Sequence, residues 1–169
     1  IECETDKALE NFLSEADYFN KGTYTGRLTG KPGDVTLTYA SYEPWSLKSD
    51  GVANPLVIWL HGMGDGAEEG KQAKASDIAF WTSDEFQVRF KDSNGAFIFA
   101  PRSLEEDNLF WSDSLIFPLR AAIDDFIAKN KNNIDLSRIY IGGYSMGGKM
   151  TLKMAIAYPN LFAAIFPIC

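Results

Sequence analysis

Four short apolar runs punctuate the chain, at residues 56–60, 96–100, 139–141 and 162–166, and polar positions do not alternate within them. Continuous runs of this kind suit strands buried on both faces of a parallel sheet. The first ends at His61-Gly62, the second at Pro101 and the third at Gly142-Gly143. Helical spacing of apolar residues occupies the intervals, over 70–89, 114–130 and 146–158. In the second of these, Leu115, Leu119, Ala122, Ile123, Phe126 and Ile127 make one stripe, and Pro159 ends the third. Strands alternating with helices predict right-handed βαβ units, an α/β fold with a mostly parallel sheet and helices on both faces. Upstream, Leu9, Phe12, Leu13, Ala16 and Phe19 predict a helix over 6–19, capped by Thr5 or Asp6. Gly22, Gly26, Gly30, Pro32 and Gly33 then mark a turn-rich stretch. Residues 35–42 alternate as a strand, with Val35, Leu37, Tyr39 and Ser41 on one side, and 44–55 reads as a loop. The division is a lead-in over 1–34 and a sheet core over 35–169, together one domain.

Composition agrees with a single core and narrows the chemistry. The 169 residues are 46% hydrophobic, enough for one globular domain. Lys and Arg number 16 against 23 Asp and Glu, a net charge of −7 that disfavours nucleic acid and anionic membranes as partners. No apolar run approaches the about 18 residues a membrane span needs. The 12 Phe, 7 Tyr and 4 Trp fit either a large core or an aromatic-lined pocket. Cys3 and Cys169 lie at the two extremes and His61 is the single histidine, so neither a disulfide framework nor a His/Cys zinc site is expected. No cofactor or metal is implied. No signal peptide is visible and the chain starts at Ile1, which leaves a secreted or a cytoplasmic location open.

The stretch from Arg138 to Gly148 carries the chemistry: Gly143, Ser145 and Gly147 spell G-x-S-x-G between an apolar strand and an apolar helix. That setting makes the motif mechanical. A strand turning sharply into a helix puts its apex residue in a strained conformation, and glycines two before and two after let strand and helix approach. The serine hydroxyl then stands above the sheet beside the helix N-terminus, whose free N–H groups favour negative charge. The bland alternative is a glycine-rich turn whose serine caps the helix. The same residues nearly fit a phosphate-binding loop, G-x-x-x-x-G-K, but Met150 stands where a Ser or Thr hydroxyl must bind Mg²⁺. Leu60-His61-Gly62-Met63-Gly64-Asp65 follows the first buried strand, where a glycine-containing loop can supply an N–H to an oxyanion. The backbone N–H groups of Met63 and Met146 are the candidate oxyanion donors.

With these residues the chain resembles the α/β-hydrolases, in the branch of carboxylesterases, acyl-thioesterases and depolymerase-like or peptidase-like esterases. The likeness lies in PLVIWLHGMGD over 55–65, FIFAPR over 97–102, DLSRIYIGGYSMGG over 135–148 and PNLFAAIFP over 159–167. The resemblance implies a serine hydrolase acting on a small acyl ester or thioester through an acyl-serine. Ser145 is then the nucleophile, His61, Gly62 and Gly64 shape the oxyanion loop, and Arg102, Trp111 and Tyr144 are pocket candidates. A serine peptidase of the same fold and an inactive, ligand-binding relative are the alternatives. Asp135 and Arg138 are expected to fix the turn into the nucleophile strand. Asp65, Glu68, Glu69 and Asp77 are expected to form a solvated acidic face, and Lys149 and Lys153 to face solvent.

One part of the resemblance is missing. The fold's triad runs Ser, then Asp or Glu, then His, yet no Asp, Glu or His follows Ser145. His61 lies in the oxyanion loop and is not assigned as the base. The expectation is therefore an α/β-hydrolase domain truncated at its C-terminus, partnered by its missing part on the same or a second chain. Alone it is expected to be inactive and, with the run at 162–166 lacking a neighbour, prone to association.

Overall fold

The computed structural model describes residues 20–27, 33–44, 51–67, 76–104 and 110–168. The helix expected over 6–19, both cysteines and residues 68–75 lie outside them. Among the described residues six strands form one sheet in the order β1-β2-β4-β3-β5-β6. They are β1 Asn20–Arg27, β2 Asp34–Tyr42, β3 Asn54–Leu60, β4 Phe97–Pro101, β5 Ile134–Tyr144 and β6 Ala164–Ile168. β3, β4, β5 and β6 pair in parallel, while β1 and β2 add an antiparallel edge. The three central runs are strands as the pattern required: β3 and β4 are buried at every position.

The helices cover both faces. The helix α3 (Ile116–Lys129, after a 3₁₀ turn at Asp113–Leu115) and α4 (Met146–Ala157) lie on one face. There Leu56, Ile58, Phe97, Phe99, Ile139 and Ile141 pack with Leu119, Ile123, Met150 and Met154. On the other face α1 (Ser76–Thr82) sets Ile78 and Trp81 beside Trp59 and Ala100. The short α2 (Asp84–Gln87) adds Phe86, packed with Trp81 against Val57 and Ile98. Period-two alternation along β3 divides the two sets, Leu56 and Ile58 to one side and Val57 and Trp59 to the other.

Three expectations need correction. The glycine-rich lead-in is partly strand: β1 runs through Gly22 and Gly26, and Gly22 pairs with Tyr39. The Tyr39 ring lies over Gly22, where a Cβ would come within 2.3 Å of it, so glycine here makes room for a cross-strand aromatic. The helix expected over 70–89 is two helices in its described part. Ser83 ends α1, bonding the Phe80 carbonyl, and starts α2 by accepting from the Phe86 N–H at 3.3 Å. The last strand begins at Ala164 rather than 162 and is not buried on both faces: Ile165 and Ile168 are 38% and 49% exposed. Among the described residues β6 pairs with β5.

Candidate active site

At the end of β5 the chain enters α4 through Ser145, which has φ 53° and ψ −112°. That is left-handed backbone in a non-glycine residue, a strained conformation costing about 1–3 kcal/mol. Close packing enforces it. A Cβ on Gly147 would lie 1.9 Å from the Leu60 carbonyl oxygen and 2.7 Å from that of His61. A Cβ on Gly143 would lie 2.5 Å from the Gly147 carbonyl carbon and 2.7 Å from the Leu60 oxygen. The two motif glycines therefore bring the first turn of α4 against the end of β3, backbone on backbone. The Ser145 N–H donates to the Ile168 carbonyl at 2.7 Å and the Ser145 carbonyl accepts from Lys149 N–H at 3.1 Å. Its hydroxyl makes no capping bond to the helix, so the capping alternative fails on geometry.

The loop after β3 lies against this elbow. An ideal Cβ on Gly62 would be 3.0 Å from the Tyr144 ring, which is 53% exposed beside Ser145. Gly64 adopts φ +92°, with open space around its Cα, and Met63 is 68% exposed. His61, in contrast, is 1% exposed. Its Nδ1 lies 2.6 Å from the Gly62 carbonyl oxygen and its Nε2 lies 2.9 Å from the Ser103 backbone nitrogen. The Trp111 indole donates to the His61 carbonyl at 2.9 Å, with the two rings 5.2 Å apart. Arg102, 7% exposed, donates through Nη1 to the Gly66 carbonyl at 3.1 Å and through Nε to the Thr38 hydroxyl at 3.0 Å.

Arg102 and Trp111 are both buried, Trp111 within the core cluster, and both hydrogen-bond carbonyls of the loop after β3. Ser103, Thr38 and Gly66 belong to the same arrangement and were not singled out by sequence. Gly66 sits edge-on to the imidazole, where a Cβ would come within 2.6 Å of Cε1 and of the Ser103 hydroxyl. A lone serine, threonine or glycine at those positions carries no local signal of this role.

The surrounding charges are simple. Lys149 is exposed, and Lys153 pairs with Asp113 at 2.6 Å. Asp65 is half-buried, while Glu68, Glu69 and the Asp77 side chain lie outside the described residues. Asp135 and Arg138 pair at 2.6 Å at the opposite end of β5 from Ser145, and Arg138 Nη2 donates to the Ala53 carbonyl at 2.7 Å, tying β5 to the entrance of β3. Hydrogen bonds from the Ser137 hydroxyl, from Arg138 and from the Ser137 N–H hold the Asp135 carboxyl below the usual carboxylate range.

Known proteins share this architecture. A phospholipase/carboxylesterase family model matches residues 47–168. The poly(3-hydroxyalkanoate) depolymerase C of Paucimonas lemoignei is 30% identical over 118 residues, covering 68% of this chain and 27% of that protein. Acetylxylan esterase A of Emericella nidulans is 57% identical over 35 residues, 21% of this chain and 12% of that protein. A thermostable esterase superposes with a TM-score of 0.68 at 28% identity, over 92% of this chain and 42% of its own. The chain thus spans about a quarter of the depolymerase's length and under half of the esterase's. A family model that matches residues 47–168, β3 through β6 with the strained serine between β5 and α4, places the chain in the phospholipase/carboxylesterase family of the α/β-hydrolases.

Proposed function

We propose that the chain carries the nucleophile of a serine hydrolase that cleaves a carboxylic ester or thioester through an acyl-serine. One observation carries this reading: Ser145 is held in a strained conformation with a hydroxyl the helix does not use. Strain of this kind persists where surrounding packing over-determines it, and it presents the Oγ rather than hiding it. In the reaction, Oγ attacks the acyl carbon as its proton leaves to a base, and the carbonyl oxygen becomes an oxyanion. The N–H of Met146, in the first turn of α4, has no intrahelical acceptor and is one donor to it. The N–H of Met63, on the loop against Tyr144, is the other. Collapse of the tetrahedral species expels the alcohol or thiol, and water releases the acid by the reverse path.

The base is not His61. Both of its ring nitrogens are engaged with backbone groups inside the protein. With no Asp, Glu or His after Ser145, the base and its acid in this reading come from outside these 169 residues. Esterase and depolymerase names among the relatives support an ester as substrate over a peptide. A fluorophosphonate probe applied to the full-length protein is expected to label Ser145, and Ser145→Ala to abolish labelling. Label on a different serine would overturn the assignment.

A further inference from the structure

We infer that the cleft between α3 and the turn after α4 is a second binding site, and that it takes a small monocarboxylic acid with an apolar tail. The cleft has a volume of about 310 Å³ and is lined by Arg120, Tyr158, Pro159, Asn160 and Leu161. It lies at the opposite end of α4 from Ser145. That helix has 12 residues, which at about 1.5 Å of rise per residue sets the cleft about 18 Å from the serine along its axis.

The recognising group is the guanidinium of Arg120, and two neighbours hold it before any ligand arrives. Its Cζ lies 4.8 Å from the centroid of the Tyr158 ring, within cation–π range. One turn along α3, Asp124 accepts from Nε through both carboxylate oxygens, each at 2.9 Å. That pair occupies only the Nε edge. The remaining N–H donors, on Nη1 and Nη2, meet no acceptor among the described residues. A planar fork already fixed by a ring and a carboxylate loses little freedom on binding. The facing wall is equally set. Leu161 N–H donates to the Tyr158 carbonyl at 3.1 Å, which closes the turn, and Pro159 fixes φ inside it.

These groups select the ligand. The Nη1/Nη2 edge presents two parallel N–H groups that match the two oxygens of a carboxylate. Asp124 already balances the charge of Arg120, so a monoanion gains hydrogen bonds, while a phosphate dianion brings a second charge that Asp124 repels. The Asn160 amide adds a donor, and Pro159 and Leu161 give the ligand's chain an apolar wall. Carboxylic acids of this class are what ester cleavage releases. That last link, product held on the helix that carries the nucleophile, rests on the hydrolase reading; the binding itself does not.

The test uses full-length protein carrying Ser145→Ala, so that no turnover intervenes. A short aliphatic acid bearing a diazirine is photolysed on it and the label is mapped by mass spectrometry. Label is expected on the turn from Tyr158 to Leu161, competed by hexanoate and not by equal concentrations of hexanol or inorganic phosphate. In Arg120→Lys, which keeps the charge and loses the fork, labelling of the turn should fall about 10-fold or more, and likewise in Arg120→Gln. Label confined to other residues, label on the turn unchanged in both variants, equal labelling by the uncharged amide of the probe, or competition by phosphate as strong as by hexanoate would overturn the proposal. Should Arg120→Gln fail to fold, Arg120→Lys decides, since it preserves the pair with Asp124. Fluorophosphonate labelling of Ser145 in the wild-type protein tests the hydrolase reading separately.

Discussion

Two loops meet at the candidate site, and they are built by opposite means. The elbow between β5 and α4 is made of backbone alone: Gly143 and Gly147 let Leu60, His61 and the first turn of α4 touch, and Ser145 absorbs the resulting strain. The loop after β3 is made of side chains. His61, Arg102 and Trp111 hold the carbonyls of Gly62, Gly66 and His61 itself, and two of those three holders lie beyond β4. The elbow is therefore sensitive to added atoms, because it has no space to give. The loop is sensitive to lost hydrogen bonds, because side chains from other elements hold its carbonyls. Gly147 and Gly64 show the contrast directly: a Cβ on the first meets a carbonyl at 1.9 Å, and a Cβ on the second meets nothing within 4 Å.

The comparison breaks most visibly at the nucleophile. Ser145→Ala in the full-length protein is expected to lower kcat by about 10⁴–10⁶-fold, as removal of a serine nucleophile does elsewhere. Ser145→Gly should be equally inactive yet more stable by about 1 kcal/mol, since glycine accepts the positive φ without strain. A thermal melt checks this, and a lower Tm would show that the elbow stores no strain. Sterics come next. Gly147→Ala should destabilise by about 3 kcal/mol or more, because the clash is with backbone carbonyls that cannot rotate away. Gly64→Ala should cost only about 1 kcal/mol, for its φ alone. Equal denaturant midpoints for the two variants would erase the distinction between the loops.

The loop's own signature is a split between stability and turnover. Trp111→Phe keeps the packed ring but removes the indole N–H from the His61 carbonyl. Stability should fall by about 1 kcal/mol, the net value of one hydrogen bond. Turnover should fall about 10-fold, because the peptide planes that aim the donors loosen. Parallel urea melts and ester kinetics report both; unchanged kcat would remove the loop's brace from the mechanism.

The smallest effect lies at the far end of the same strands. Asp135 titrates lower in the folded chain than in the unfolded one. Its ionised form therefore stabilises the fold above the usual carboxylate range, and that contribution is lost as pH falls below about 4 toward the lowered folded value. Asp135→Asn should be somewhat less stable at pH 7 and should show a shallower decline of Tm on acidification than the parent. Parallel curves would mean that this carboxylate holds nothing.

The two loops also mark how far a sequence can be read. Buried strands betray themselves by unbroken apolar runs, and 56–60, 96–100 and 139–141 emerged as β3, β4 and part of β5. The elbow is legible because strand, glycine, serine, glycine and helix are neighbours in the chain, although the contact that strains it comes from the end of β3. Signals failed where the partner was remote. Gly22 and Gly26 looked like turn residues because Tyr39, which covers Gly22, comes from the next strand. The run at 162–166 joins the ladder only from Ala164, because apolarity does not mark where a turn gives way to strand pairing. Ser83 splits one apparent helix into two by a capping bond that periodicity does not record.

By itself, then, the sequence determined the α/β alternation and marked the glycine-serine-glycine elbow, because both are patterns a few residues long. Tertiary structure alone decided the loop opposite that serine. Thr38, Arg102, Ser103 and Trp111 converge on residues 61–66 only because β2, β4 and β3 lie side by side in the sheet. A hydrogen bond needs its donor and acceptor within about 3 Å, and no pattern along the chain encodes that meeting until the strands have paired.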